Sequence, residues 1–339
     1  MNNCCTHCFN DKFMSDVIIQ QSETIGTCEF CKSQNVSLID ASLLNDYFQP
    51  IFDLYEEVES GNTIIEVINN DWKLFTHMDD AIALLLVESI LEIKIYKNFQ
   101  ARENGDTTKI SNWQEFKKEL KHYNRYFPLK APNKEHLEGL LTNLIISNEY
   151  IPKYLYRSRV NEDIEEIPLK EMGKPPERYS SAGRANPIGI PYLYTASNTK
   201  TAIAEIRPHK GDKITVAKFE VKGNLNLADL RDPRETISPF TFDDDGLNQM
   251  FKDLDYLCHL GEELSKPILP REAHLEYLSS QYLCEFIKHC GFDGVIYKSS
   301  VGDGDNYAIF KDDDLEPIET KTYSVDEVQI TSNQYQTEN

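Results

Sequence analysis

Residues 183–208 read G-R-A-N-P-I-G-I-P-Y-L-Y-T-A-S-N-T-K-T-A-I-A-E-I-R-P, and they carry three chemically distinct side chains at close intervals. Arg184 offers a guanidinium, which grips a phosphate oxyanion through two aligned N–H donors. Tyr194 offers a flat aromatic face, which attracts a cationic ring. Glu205 offers a carboxylate, which stabilises a positively charged sugar while its glycosidic bond breaks. A pyrophosphate, a cationic nicotinamide and a ribose occur together in NAD⁺, so this stretch predicts NAD⁺ as the substrate.

Four further pieces of sequence accompany this stretch between about residues 150 and 312. They are Y-L-Y-R-S-R at 154–159, M-G-K-P-P at 172–176, G-F-D-G-V-I-Y-K-S-S at 291–300 and N-Y-A-I-F at 306–310. In this order the five pieces resemble the RES family, which is named for its arginine, glutamate and serine. Members of that family are NAD⁺-degrading toxins of bacterial toxin–antitoxin systems. The resemblance implies a split, curved sheet of the kind found in ADP-ribosyltransferase-like toxins.

The resemblance also implies roles for individual residues. Two arginines match the anion-gripping arginines of the family, and an aromatic, a glutamate and a serine match its other site residues. The catalytic candidates are Glu205, Arg184, Tyr194 and Ser299, and the substrate-binding candidates are Arg157, Asn186, Ser300 and Asn306. Ser300 competes with Ser299 because the adjacent serines let the register slip by one position. Asn306 could hold a loop instead of touching the substrate.

Five of the eight cysteines lie within the first 31 residues. Cys4, Cys5 and Cys8 form C-C-x-x-C, and Cys28 and Cys31 form C-x-x-C, with a gap that falls in the range of zinc sites. Two such C-x-x-C pairs supply four thiolates and close a tetrahedral site without water, which is typical of structural zinc. The predicted ligands are Cys5, Cys8, Cys28 and Cys31, and Cys4 remains an alternative to Cys5. Unliganded thiols or a redox pair are the competing interpretations.

The length of 339 residues fits two or three domains. Acidic residues outnumber basic ones by 56 to 35, a formal charge of −21, which argues against a duplex DNA or RNA partner. No apolar run reaches the roughly 18 to 20 residues of a membrane span, and no signal peptide is visible. We therefore expect a cytoplasmic protein without a membrane or nucleic-acid partner.

Changes in residue composition and hydrophobic periodicity along the chain predict four segments and an α+β fold class. We expect a zinc ribbon at 1–38, a helical domain at 39–149, a RES catalytic domain with a mixed β-sheet at 150–325, and a polar tail at 326–339. The helical segment resembles the HEPN-like region that precedes some RES domains. Its sequence lacks the R-x4–6-H motif of HEPN ribonucleases, so we expect a role in packing, dimerisation or sensing.

Hydrophobic periodicity predicts individual elements. In the first half it predicts a short strand at 13–19 and helices at 43–60 and 79–94. Ser111 with Gln114 forms a candidate capping box, and Asn133 is a candidate cap for a helix through Ile145. In the second half, strands are predicted at 192–195, 214–221 and 295–297, and a helix is predicted at 275–290.

The sequence thus favours an enzyme that cleaves the nicotinamide–ribose bond of NAD⁺, either as a phosphorylase or as a glycohydrolase, in a toxin or defence effector. Inorganic phosphate is a candidate second substrate. An antitoxin or regulatory protein is a candidate partner, and a homo-oligomer is a further option. The alternatives are an ADP-ribosyltransferase that modifies a macromolecule and a non-catalytic zinc-ribbon binding module.

Overall fold

The computed structural model of this chain describes residues 2–103, 105–162, 165–269 and 271–329. The chain forms two compact units. The first unit comprises Met1–Glu115 and Asp232–Leu260, and the second comprises Phe116–Arg231 and Gly261–Asn339. Helices and strands are both abundant, and the second unit contains a large mixed sheet. The predicted α+β class is therefore confirmed.

The helices and strands are as follows. The helices are α1 Lys12–Gln21, α2 Asn45–Phe52, α3 Ile64–Trp72, α4 Asp80–Leu91, α5 Thr107–His122, α6 Lys134–Thr142, α7 Thr199–Glu205, α8 Pro233–Thr236, α9 Asp244–Ser265 and α10 Ala273–His289. The strands are β1 Asn3–Cys5, β2 Thr24–Gly26, β3 Val36–Asp40, β4 Tyr55–Val58, β5 Asn98–Ala101, β6 Tyr154–Val160, β7 Leu193–Ala196, β8 Lys213–Val221, β9 Leu227–Asp229, β10 Gly294–Lys298, β11 Asp305–Ile309 and β12 Leu315–Ser324. Among the described residues, no helix combines the length and the apolar character that crossing a membrane requires.

The N-terminal cysteine segment is built on a three-stranded antiparallel sheet of order β1-β3-β2. The strand predicted at 13–19 is wrong, because these residues belong to α1. Asp11 begins the helix by accepting a hydrogen bond from the Met14 N–H at 2.7 Å. Met14, Val17 and Ile18 are buried at helical spacing, so the apolar run that resembles a strand is one face of a short helix.

The predicted helix at 43–60 is too long. The helix α2 ends at Phe52, and Tyr55–Val58 forms strand β4, which pairs with β5. Tyr55 is buried and its hydroxyl donates to Asp71 at 2.9 Å. The partner strand lies far away in sequence, so helical spacing alone could not reveal this pairing.

Of the remaining helix predictions, some are confirmed and others are wrong in their bounds or caps. The helix at 79–94 is confirmed as α4, and Asn133 caps α6 by accepting from the His136 N–H at 3.0 Å. That helix ends at Thr142, before the predicted end at Ile145. The capping box at Ser111 is wrong because α5 already begins at Thr107 and encloses that serine. The 22-residue helix α9 was not predicted.

The second unit is organised by a seven-stranded sheet of order β12-β8-β6-β7-β11-β10-β9. Its pairs are antiparallel except for β9 with β10. The three predicted strands and the predicted helix correspond to β7, β8, β10 and α10. One buried cluster includes Leu155, Leu193, Phe219, Ile296 and Ile309. The predicted polar tail lies mostly outside the described residues.

Candidate functional site

A cleft of about 240 Å³ opens in the second unit, at the place where the sheet is least paired. Strand β6 pairs with β8 along seven positions but with β7 only at Tyr156 and Ala196. The resulting gap separates the two strands on either side of that pair. The residues that line the cleft are Tyr156, Arg157, Ser158, Tyr194, Thr195, Ala196, Ala202, Glu205, Ile206, Tyr297 and Asn306.

Glu205 ends the helix α7, whose first turn is capped by Asn198 through a 2.9 Å bond from the Thr201 N–H. Its Oε1 accepts hydrogen bonds from Ser299 Oγ and from Asn306 Nδ2, both at 2.6 Å. Both bonds go to the same oxygen. Within the described residues, Oε2 receives no hydrogen bond and remains available to a ligand in the cleft.

Ser299 follows β10 and is fixed from several directions. Its Oγ donates to Glu205 and accepts from the N–H groups of Val301 at 3.2 Å and Gly302 at 2.9 Å. The loop then packs closely on the start of α7, because a Cβ at Gly304 would lie 2.4 Å from the side-chain nitrogen of Asn198. This close approach explains the glycine. Of the two competing serines, the geometry favours Ser299 as the partner of Glu205.

Arg157 on β6 is a cation without an acidic partner among the described residues. Its Nη1 donates to the Tyr194 carbonyl at 3.3 Å, and its buried Nε has no hydrogen-bond partner in that part of the chain. Burial, and secondly the charge of Arg159, lower the pKa of Arg157 from 12.5 to about 10. Arg157 therefore remains charged at neutral pH, and an anion in the cleft would satisfy both its charge and its free donor.

Tyr194 and Asn186 hold the G-R-A-N-P loop together. The Tyr194 hydroxyl donates to Asn186 Oδ1 at 2.7 Å and accepts from the Ala185 N–H at 3.0 Å. Asn186 is buried, and its Nδ2 donates to the carbonyls of Ser181, Pro187 and Ile190. Asn186 does not line the cleft, so the structure gives it contacts within the loop.

Glycine is required at the start of this loop. A Cβ at Gly183 would lie 2.4 Å from Asn186 Oδ1 and 2.6 Å from the Tyr194 hydroxyl oxygen. A side chain there would break the hydrogen bond between these two groups.

Arg184 is held just outside the cleft lining. Its Nη1 donates to the Lys266 carbonyl at 2.8 Å, and its guanidinium lies over the Tyr277 ring at 5.4 Å from the centroid. Burial raises the pKa of Tyr297, the charge of Glu205 raises it further, and that of Arg184 lowers it.

Helix α10 carries a buried polar triplet that the sequence analysis did not identify. Ser280 Oγ donates to the Arg184 carbonyl at 2.7 Å, and Gln281 Nε2 donates to the Gly183 carbonyl at 2.8 Å. Ser279 Oγ donates to Glu263 at 3.1 Å. Three consecutive polar residues within a largely buried helix were the available signal, and two of them, Ser280 and Gln281, position the loop that carries Arg184.

Two tyrosines of the cleft were also absent from the predicted site. Tyr156 lies on β6 and Tyr297 on β10, each at the position after a buried core residue. Tyr297 pairs with Asn306, Asn306 with Ala196 and Ala196 with Tyr156, so both tyrosines belong to one row of paired positions that lines the cleft. A larger cavity of about 380 Å³ in the first unit is lined by Asp46, Asp53 and Asp244, and carboxylates would repel phosphate there.

The four predicted cysteine ligands lie together in the first unit. The Sγ atoms of Cys5, Cys8, Cys28 and Cys31 all lie within 4.8 Å of one another. The closest pairs, Cys5 with Cys31 and Cys8 with Cys28, are 3.4 Å apart. A disulfide would bring the sulfurs to about 2.05 Å, and these cysteines are free. Four converging thiols could hold a metal ion, and Cys4 is not part of the cluster.

Comparison with known proteins adds three findings. A family model described as the RES domain matches residues 155–328. Among solved structures, the chain is similar to a chain in the crystal structure of the M. tuberculosis MbcT-MbcA toxin–antitoxin complex, at 12% identity. That match covers 55% of this chain and 93% of the other, with a TM-score of 0.33. No curated protein matches the chain.

The contacts of Asn186 predict a role in stability. Asn186→Ala should lower the free energy of unfolding by about 2 to 3 kcal/mol, because this buried side chain bonds the Tyr194 hydroxyl and several loop carbonyls, which all lose their partner at once. Chemical denaturation checks this value. The exposed Asn248, which makes one hydrogen bond to Asp244 within α9, provides the control substitution Asn248→Ala with a much smaller effect. Equal stability of the two variants would contradict the interpretation.

Proposed function

Since this chain belongs to the RES domain family, we propose that it cleaves the bond between nicotinamide and ribose in NAD⁺. The observation that carries the proposal is the Glu205 carboxylate, which Ser299 and Asn306 hold through one oxygen. Beside it lies a cleft that also contains Arg157, for which the described residues provide no carboxylate partner. The RES resemblance implies NAD⁺ degradation by toxins. We extend that function, as a toxin or defence effector of the cytoplasm, to this chain.

Glu205 acts on the sugar. Nicotinamide leaves NAD⁺ as a neutral molecule, so the main task is to stabilise the oxocarbenium-like ribose that remains. In our proposal the Oε2 atom of Glu205 binds a ribose hydroxyl or faces the developing positive charge. The hydrogen bonds from Ser299 and Asn306 fix the carboxylate in advance, so little reorganisation is needed when that charge develops.

The arginines act on the pyrophosphate. The cleft volume of about 240 Å³ lies below the roughly 300–1,000 Å³ of sites that enclose a small molecule. It therefore suits the nicotinamide and ribose end of NAD⁺, with the rest of the dinucleotide outside. Arg157 provides the free donor and the charge for the phosphate that follows the ribose. We assign Arg184 to a second phosphate contact and Tyr194 to positioning of the loop between them.

The acceptor is water or inorganic phosphate. Transfer of ADP-ribose to a macromolecule uses the same cleft and is the alternative activity. A non-catalytic binding module is the least favoured interpretation, because such a module would not need a carboxylate oriented by two hydrogen-bond donors, Ser299 and Asn306. We further propose an antitoxin or regulatory protein as a partner, with the RES resemblance as its support.

We also propose that the cysteine cluster holds one structural zinc ion. Its donor set is four thiols, and a tetrahedral zinc with Zn–S bonds of about 2.3 Å places sulfurs about 3.8 Å apart, close to the observed spacings. A closed thiolate site would stabilise the short β1–β3 segment and take no part in the chemistry. The cleft residues include no cysteine.

Glu205→Gln tests the central assignment. NAD⁺ turnover should fall at least about 100-fold, because the charge that stabilises the sugar is lost. The melting temperature should hardly change, since the side chain is exposed and the amide oxygen can still accept both hydrogen bonds. Chromatographic measurement of NAD⁺ loss gives the rate. The exposed Glu285 on α10 provides the matched control, Glu285→Gln, which should retain full turnover.

The same assay identifies the acceptor. ADP-ribose without added phosphate indicates a glycohydrolase, and a phosphorylated ADP-ribose that requires phosphate indicates a phosphorylase. A protein or nucleic acid of increased mass indicates the transferase. If the Glu205→Gln variant kept most of its activity, Glu205 would be excluded from the site.

Arg157→Gln tests the phosphate contact. We expect the KM for NAD⁺ to rise about tenfold or more, because a charged hydrogen bond to phosphate contributes about 1.5 to 3 kcal/mol. Nicotinamide riboside has the same scissile bond but no pyrophosphate. The variant and the unmodified protein should therefore cleave it at similar rates. An equal loss on both substrates would assign Arg157 to the reacting centre or to the fold.

Zinc content tests the metal proposal. Elemental mass spectrometry of the purified chain should give near-stoichiometric zinc. Cys8→Ser should lower both the zinc content and the melting temperature, because a closed site loses one of its four ligands. Cys4→Ser is the control and should keep its zinc. Loss of zinc from the Cys4 variant, together with retention of zinc in Cys5→Ser, would transfer the ligand role from Cys5 to Cys4.

A further inference from the structure

Four apolar side chains project into solvent from the segment that joins α5 to α6. Residues 120–134 read L-K-H-Y-N-R-Y-F-P-L-K-A-P-N-K. Tyr123, Tyr126, Phe127 and Leu129 are 71%, 90%, 88% and 89% exposed. One exposed apolar residue needs no explanation, but a concentration of this kind marks an interaction site. We call residues 123–133 the aromatic loop.

The aromatic loop has a defined conformation. The buried carboxylate of Glu119 accepts hydrogen bonds from the N–H groups of Leu129 at 3.0 Å and Lys130 at 2.8 Å. The Arg125 Nε donates to the Leu120 carbonyl at 3.2 Å. These bonds from both ends of the loop keep its backbone in place, so the exposed side chains are displayed on a fixed support.

The charge of the segment is opposite to that of the chain. Residues 120–134 contain Lys121, Arg125, Lys130 and Lys134 and no acidic residue, whereas the whole chain has a formal charge of −21. Lys121 forms an ion pair with Glu276. In the described part of the chain, Arg125 has no carboxylate partner. The loop therefore combines exposed cations with exposed rings.

The rings of Tyr123, Tyr126 and Phe127 stand apart from one another. None of the three makes a ring contact with another aromatic side chain in the described residues. At about 90% exposure, both faces of Tyr126 and Phe127 are open. A flat protein surface would cover one side of such a ring, whereas stacked nucleobases can occupy both faces.

We propose that the aromatic loop binds single-stranded nucleic acid, with bases stacked on its rings and phosphates near Arg125 and Lys134. A single strand offers exposed π-faces and a regular row of anions, which matches both features of the loop. The bulk charge led us to expect no nucleic-acid partner, and the local charge of this segment departs from that bulk charge. Salt screens charges beyond about 8 Å at physiological ionic strength, so distant carboxylates do not cancel a local basic segment. The proposal does not depend on NAD⁺ cleavage.

Fluorescence anisotropy with labelled oligouridine and oligothymidine of about 16 nucleotides measures the binding by the full chain. The double variant Tyr126→Ser/Phe127→Ser should weaken it about tenfold or more, because stacking contributes about 1 to 3 kcal/mol per base. Affinity should also fall as salt is raised. Both side chains are almost fully exposed, so the melting temperature should stay unchanged.

The chain offers a matched control in the first unit. Tyr96 is 87% exposed and lies between Lys94 and Lys97, but these lysines pair with Glu88 and Glu57. Tyr96→Ser should bind oligouridine as the unmodified chain does.

Three results would overturn the proposal. The first is binding that the double variant leaves intact. The second is equal affinity for a duplex of the same length. The third is that the loop serves another partner. In that case the double variant would abolish either binding to phosphatidylserine vesicles or self-association measured by sedimentation.

Discussion

A β-strand that lies between two neighbours normally pairs with both, and β6 does so along only one side. It pairs with β8 over its whole length but meets β7 at a single position. Buried backbone groups need partners, and beyond that position the Tyr194 carbonyl accepts from the Arg157 guanidinium. At the point where the sheet opens, Arg157 thus supplies the hydrogen bond that a paired strand would otherwise donate. The cleft lies at this opening, and the Arg157 side chain spans the opening from β6 to β7. Among the described residues, Arg157 has no carboxylate partner.

The carboxylate on the other side of the cleft depends on the same sheet. Asn306 on β11 pairs with Ala196 on β7, so its amide is held by the strand that borders the gap. Ser299 comes from the loop after β10, which packs on the start of α7. Three elements therefore determine one oxygen of Glu205. Two of them, β10 and β11, contribute residues to the buried cluster that also contains Leu155 of β6. The anion and the cation of the site are placed by one scaffold, which is what a preorganised site requires.

Strands of the second unit could be predicted because their apolar residues alternate or run continuously through the core, as in Ile214–Val221. The errors fall where local pattern and tertiary pairing differ. Residues 13–19 form a helix whose three buried positions mimic a strand, and Tyr55–Val58 belongs to a strand whose partner is distant in sequence. The order of the five motifs identified Glu205, Arg157 and Asn306, which line the cleft. The order of the motifs could not show that Asn186 stabilises a loop or that Ser280 and Gln281 bind that loop. Hydrogen bonds between residues distant in sequence produce no periodic pattern.

Net charge is a poor guide to binding by this chain, because a cation binds an external anion only where the chain does not neutralise it. Many lysines and arginines form ion pairs, such as Lys117 with the buried Glu263 and Arg231 with Asp229 and Asp305. Arg157 and Arg184 have backbone carbonyls as partners, and so does Arg125. These contacts orient a guanidinium without removing its charge. The proposed binding of a dinucleotide by an acidic chain therefore depends on these two oriented arginines, and the same physical reasoning applies to the proposed recognition of single strands by the aromatic loop.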